Sequence, residues 1–197
     1  MNTGVDYSCS LQWQNNYYIF GSSKEPRQVS MVNGNRLERK ATLNFECSYA
    51  ACTVLNQKTV LLCFGEPGIR DVCRQSNNPL GSFTKLPNSN YNHWKTRIAS
   101  FEGKKKFYRK AIYASDTLID VGGAKPGSTT YYEHTHTELF TLSSSQWQIK
   151  KDYPYSKQIT LYSILAVEKM FIIFGGSRWK GEVLTRKVLT NQDMLSL

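Results

Sequence analysis

Short apolar runs alternate with polar turns along this chain, and four of the runs end in glycine. They read Tyr17-Tyr18-Ile19-Phe20-Gly21, Val60-Leu61-Leu62-Cys63-Phe64-Gly65, Leu118-Ile119-Asp120-Val121-Gly122-Gly123 and Phe171-Ile172-Ile173-Phe174-Gly175-Gly176. Runs this short, rich in β-branched and aromatic residues, predict strands. Met170 to Phe174 has no polar member, which predicts a strand buried on both faces. Arg36-Leu37-Glu38-Arg39-Lys40 is largely polar, as a solvent-facing strand should be.

The rest of the pattern recurs in phase. Upstream of the glycine strands lie another apolar strand and a tight polar turn, such as Asn15-Asn16, Asn56-Gln57-Lys58 and Glu168-Lys169. Downstream, a polar loop leads to a third strand: Gln28–Val32, Asp71–Gln75, Glu138–Leu142 and Val183–Leu189. A second turn follows, and a bulky residue opens a fourth strand: Leu37, Phe83, Trp147 and Met194. The leading glycines fall at 21, 65, 122 and 175, spaced 44, 57 and 53 residues apart. A repeat near ~50 residues, built as strand–turn–strand–loop–strand–turn–strand, is the period of a four-stranded propeller blade.

At this point the sequence resembles the kelch repeat family. The match is carried by the apolar runs with Gly122-Gly123 and Gly175-Gly176, and by Leu139-Phe140 and Trp147 at the positions of that family's later aromatic signature. The first two repeats depart from the pattern: Ser22 follows Gly21, Glu66 follows Gly65, and Leu37 and Phe83 replace the tryptophan. The resemblance implies an all-β, kelch-like propeller or propeller segment. It would comprise about four antiparallel blades, roughly 6–45, 46–93, 94–156 and 157–197, the last incomplete. Trp147 is expected to be buried between blades. Kelch-like rings usually have six or seven blades, by the same implication. The chain is therefore expected to be a fragment, or an open arc that pairs through exposed blade edges, in preference to a small closed ring. The third repeat holds an insertion of about 14 residues. Trp94–Glu102 is favoured over Lys110–Ser115 as its first strand, because the alternative leaves a long structureless stretch. Gly103–Lys110 would then form an exposed extra connection.

Composition adds limits to this picture. The chain has 197 residues, 13% of them aromatic, enough for one globular domain with a core. No apolar run reaches the length of a membrane-spanning helix. The first residues lack the charge and apolar pattern of a secretory leader, and there is no Asn-x-Ser/Thr sequon; both favour the cytoplasm slightly over secretion. Lys and Arg total 25 against 15 Asp and Glu, a formal charge of +10, which favours acidic partners in general. No nucleic-acid motif accompanies the charge, so a solvated basic surface is the preferred reading.

Five cysteines leave at least one thiol unpaired within the chain. Cys63 and Cys73 flank one loop on adjacent expected strands and could form a disulfide; Cys9, Cys47 and Cys52 show no clear pairing. His134-Thr135-His136 could set two imidazoles on one face of a strand, but no third ligand is identifiable and no metal is assigned. No GxSxG, HExxH, phosphate loop or GxGxxG occurs, and no catalytic residue or cofactor is assigned.

Loops between second and third strands, with those between blades, should share one face, where binding is expected. That face would carry Lys24, Glu25, Arg27, Arg70, Tyr131, Tyr132, His134, Tyr153, Pro154, Tyr155, Arg178, Trp179 and Lys180. Tyr, Trp and Arg dominate interface energetics. The expectation is a non-catalytic scaffold that binds another protein. The competing classes are a propeller enzyme or lectin-like module with carbohydrate or metal at the axis, and a binder of nucleic acid or an anionic surface through Arg36–Lys40 and Lys104–Lys110.

Overall fold

The computed structural model describes residues 8–55, 57–65, 71–90, 98–100, 104–107, 110–113, 117–126, 131–150, 160–167, 170–177 and 187–190; side chains are described for 8–55, 57–65, 71–90 and 138–149. Within these residues the protein is all-β, with no helix and every strand pair antiparallel. No described helix is long and apolar enough to cross a membrane. The chain divides into two compact halves, Met1–Lys95 and Thr96–Leu197.

The N-terminal half holds two four-stranded meanders. The first joins β1 (Cys9–Trp13), β2 (Asn16–Phe20), β3 (Gln28–Asn33) and β4 (Arg36–Thr42) in chain order. The second joins β5 (Ala51–Leu55), β6 (Thr59–Cys63), β7 (Cys73–Ser76) and β8 (Thr84–Lys85) in the same way. Short local signals set the turns. Trp13 pairs with Asn16, so the first turn is Gln14-Asn15, one residue earlier than the sequence suggests. Both residues have positive φ, 46° and 67°, the signature of a type I′ hairpin whose twist suits the flanking strands. Gly34, at φ 57°, opens the two-residue turn between β3 and β4.

The two meanders share a core. It is built from Leu11, Trp13, Tyr18, Phe20 and Val29 of the first sheet, Val60 and Leu62 of β6, Phe83, and Leu43, Phe45, Cys47 and Ala50 of the connecting segment. The rings meet edge to face: Phe83 lies 6.3 Å from Phe20 and 5.8 Å from Phe45, centroid to centroid. In β6 all five residues are buried, so both of its faces are covered.

A cystine crosses between the sheets. Cys9 of β1 is bonded to Cys52 of β5, with their Cα atoms 5.9 Å apart. On the chain-entropy account, closing a loop over a separation of 43 residues stabilises the fold by about 4 kcal/mol. The second disulfide, Cys63–Cys73, joins opposed residues of β6 and β7 at a Cα separation of 4.1 Å. The Phe64 N–H donates to the Val72 carbonyl at 3.0 Å, which makes Cys63 and Cys73 a non-hydrogen-bonded pair, the closer kind of cross-strand position.

The C-terminal half contains β9 (Ile98–Ser100), β10 (Lys104–Phe107), β11 (Lys110–Tyr113), β12 (Thr117–Pro126), β13 (Tyr131–Thr141), β14 (Gln146–Lys150), β15 (Thr160–Val167), β16 (Met170–Ser177) and β17 (Lys187–Thr190). One sheet has the order β14-β13-β12-β9, a second the order β15-β16-β17, and β10 and β11 form a hairpin of their own. Thus Ile98–Ser100 supplies the strand beside β12, as expected, while Lys110–Tyr113 belongs to the inserted hairpin.

Two expectations are corrected here. The glycine pairs Gly122-Gly123 and Gly175-Gly176 do not end their strands; β12 and β16 run through them. Between Val121 and Gly123 the register shifts by one residue, so Gly122 lies opposite a bulge in β13 instead of opening a turn. Trp147 is only partly buried: it pairs with Phe140 across β13 and β14, ring centroids 5.1 Å apart, and Phe140 is the fully buried member.

Gly21 shows where glycine is required. Its φ is 60°, and a Cβ there would come within 2.9 Å of the Cys47 carbonyl carbon, carbonyl oxygen and Sγ. Gly34 has similar φ but nothing within 4 Å of such a Cβ. Gly21→Ala is therefore expected to lower stability by about 2–4 kcal/mol and Gly34→Ala by about 1 kcal/mol. Urea unfolding of both variants checks this, and equal effects would contradict it.

Candidate functional site

The best-defined candidate is the loop from Gly21 to Arg27, between β2 and β3. Buried Ser22 starts it, its Oγ accepting from the Glu25 N–H at 3.0 Å. The Glu25 carbonyl then accepts from the Gln28 N–H at 3.2 Å, and the Gly21 N–H donates to the Gln28 carbonyl at 2.8 Å. The loop is closed on itself by its own short polar links.

The connection between the sheets fastens it from below. The Leu43 N–H donates to the Arg27 carbonyl at 2.7 Å, and the Cys47 N–H to the Pro26 carbonyl at 2.8 Å. The Cys47 thiol also reaches the Pro26 carbonyl, at 3.3 Å. Lys24 and Arg27 are left exposed on the outside, with Glu25 partly buried. Arg27 pairs with Glu46 at 3.4 Å, but its side chain remains 55% exposed, so the pair contributes no more than about 1 kcal/mol.

The second sheet repeats this arrangement. The Phe64 N–H donates to the Val72 carbonyl at 3.0 Å as Gly21 does to Gln28, and the Ser89 N–H donates to the Asp71 carbonyl at 2.8 Å as Leu43 does to Arg27. Asn88 Nδ2 adds a bond to Asp71 Oδ2 at 2.6 Å. The structural counterpart of Gly21 is therefore Phe64, at φ 63°, and not Gly65, as the aligned glycines suggest. The Phe64 ring is fully buried, and that burial, roughly 2–3 kcal/mol, offsets a left-handed backbone costing roughly 1–2 kcal/mol.

The remaining predicted positions divide three ways. Arg70, Tyr153, Tyr155, Arg178 and Trp179, with Pro154 and Lys180, lie outside the described residues. Tyr131, Tyr132 and His134 are not loop residues; they belong to β13, opposite Pro126, Lys125 and Gly123. The register slips by one residue between Val121↔Thr137 and Gly123↔His134, so the bulge falls across Thr135 and His136. The strict two-residue alternation required for a shared His134–His136 face is interrupted there. Among the described residues no group of three or more His, Cys, Asp or Glu is arranged to hold a metal ion.

Sequence reasoning missed several chemically distinctive groups. Cys9–Cys52 is one; its signal was that both residues lie near the starts of first strands in successive repeats. Glu138 is a second, a carboxylate fully buried in β13 between register partners Asp120 and Ile149. Arg74 is a third: its guanidinium lies 4.4 Å from the Phe45 ring centroid, a cation–π contact on the core, while its Nε is buried without a hydrogen-bond partner. Nothing in the sequence pattern marks Glu138 or Arg74.

In comparisons with known proteins, no family model and no curated protein matches the chain.

Cys47 is the free thiol among the described cysteines, and it is buried. Burial pushes its pKa up to about 12. Because the thiolate is the reactive form, the folded protein should resist iodoacetamide at pH 8.5 and take up the label at Cys47 only after denaturation. Rapid labelling of Cys47 in the folded protein would contradict its placement under Gly21.

Proposed function

We propose that the chain is a segment of a kelch-like β-propeller and serves as a non-catalytic scaffold that recognises another protein. Its recognition elements are the loops joining second to third strands, with Lys24 and Arg27 exposed on the first of them. The observation that carries this reading is the equivalence of the first two sheets. Both are four-stranded meanders in chain order, and in both the same pair of backbone hydrogen bonds closes the strand ends that border the second-to-third loop. A loop anchored like Gly21–Arg27 presents side chains at low entropic cost, as recognition requires. Arg27 is among the residue types that dominate interface energetics. The assignment to kelch-like propellers rests on the repeat period and glycine runs, so its warrant is likeness of pattern.

A photo-crosslinking residue at position 24 or 27, in the purified full chain added to native extract, tests the proposal. The same protein partner should be captured at both positions and not from position 58, in the hairpin between β5 and β6. Lys24→Gln/Arg27→Gln should weaken the captured partner's binding about tenfold while lowering the melting temperature by no more than a few degrees, the share of the lost Arg27–Glu46 pair. Equal capture from position 58, or undiminished binding by the double variant, would refute this face.

A further inference from the structure

The inserted hairpin has a composition unlike the sheets around it in sequence. β10 and β11 pair Lys104↔Tyr113, Lys105↔Ile112, Lys106↔Ala111 and Phe107↔Lys110. Their eight residues include four lysines and no carboxylate. The register places Lys104 and Lys106 on one face with Ala111 and Tyr113, and Lys105 and Lys110 on the other with Phe107 and Ile112. The hairpin is a two-stranded sheet of its own, paired to no other strand among the described residues. Like charges this dense repel one another, and nothing within the two strands offsets them.

The other basic run in the chain is different. In β4, Lys40 pairs with Glu38 at 2.6 Å. Glu38 is held below its usual pKa by hydrogen bonds from Lys40 and Asn33. Arg39 is turned onto Thr42 Oγ1 at 2.9 Å. That strand carries an internal counter-charge, whereas the two hairpin strands contain no Asp or Glu in their sequence.

The disulfides narrow the chemistry of a polyanionic partner for these lysines. Two cystines form in the N-terminal half, one of them holding two sheets together. Such bonds persist in oxidising environments and are rare where glutathione keeps thiols reduced. Polyanions met on the oxidising side of a membrane are chiefly sulfated polysaccharides, whereas nucleic acids occupy reducing compartments. We propose that the β10–β11 hairpin is a docking element for a heparin-like sulfated polysaccharide. Lys104, Lys105, Lys106 and Lys110 meet its sulfates, and the chain matures in an oxidising compartment. This site is separate in sequence from the Gly21–Arg27 loop, so either reading stands if the other fails.

The test uses the full, disulfide-bonded chain and a size-defined heparin dodecasaccharide, with binding measured by titration calorimetry from 50 to 200 mM salt. Affinity should fall steeply as salt rises, through counter-ion release. Lys104→Gln/Lys105→Gln/Lys106→Gln should bind about tenfold or more weakly and with a shallower salt slope, while Arg36→Gln/Arg39→Gln stays within about twofold of the wild type. Should the triple variant lose its cooperative melt, the single variants at 104, 105, 106 and 110 carry the test, each expected to bind about two- to threefold more weakly. Undiminished heparin binding by these variants would overturn the proposal. So would tighter binding of a 20-nucleotide RNA than of heparin under the same conditions, or equal binding of desulfated heparin.

Discussion

A strand with no polar face has to be covered on both sides, and β6 is such a strand. Its residues Thr59 to Cys63 are all buried. Val60 and Leu62 belong to the core shared with the first sheet, and the alternate residues Leu61 and Cys63 are buried as well. One sheet of this kind cannot be stable alone, because too much apolar surface would stay in water. Stacking follows from that. So does the path of the connecting segment 43–50, which threads Leu43, Phe45, Cys47 and Ala50 into the shared core.

The close approach at Gly21 follows from the same packing. Bringing Cys47 beneath the exit of β2 leaves no room for a side chain there and gives the Cys47 N–H and thiol a partner in Pro26. The loop above is thereby anchored, and its exposed Lys24 and Arg27 sit on a fixed backbone. Packing energetics and the candidate recognition surface are one chain of cause. In the second sheet the same backbone turn is made by Phe64, whose buried ring replaces glycine's conformational freedom as the means of holding it.

Much of the strand content was legible in the sequence, because apolar runs bounded by polar turns have few alternatives. Cys63–Cys73 was legible too, since two cysteines flank one hairpin. What the pattern missed depended on register or distant contacts. Gln14-Asn15 and Asn15-Asn16 are equally good turn dipeptides, and only the pairing of Trp13 with Asn16 decides between them. Glycine pairs signal departure from a regular strand, but a strand end and a site opposite a bulge look alike in one dimension; β12 runs on through Gly122, opposite the bulge in β13. Trp147 was expected to be the buried ring, yet Phe140 holds that place. The loop contacts at Tyr131, Tyr132 and His134 became strand positions for the same reason that β12 lengthened.

Packing of the first two sheets on one shared core is the claim on which the loop, the core and the cysteine pattern all rest. Peptide mapping of the unreduced protein by mass spectrometry tests it most directly, since the shared core brings residues 9 and 52 within bonding reach. A Cys9–Cys52 cross-linked peptide with Cys47 recovered as a free thiol is the predicted result. A bridge from Cys47 to Cys9 or Cys52 would contradict this packing.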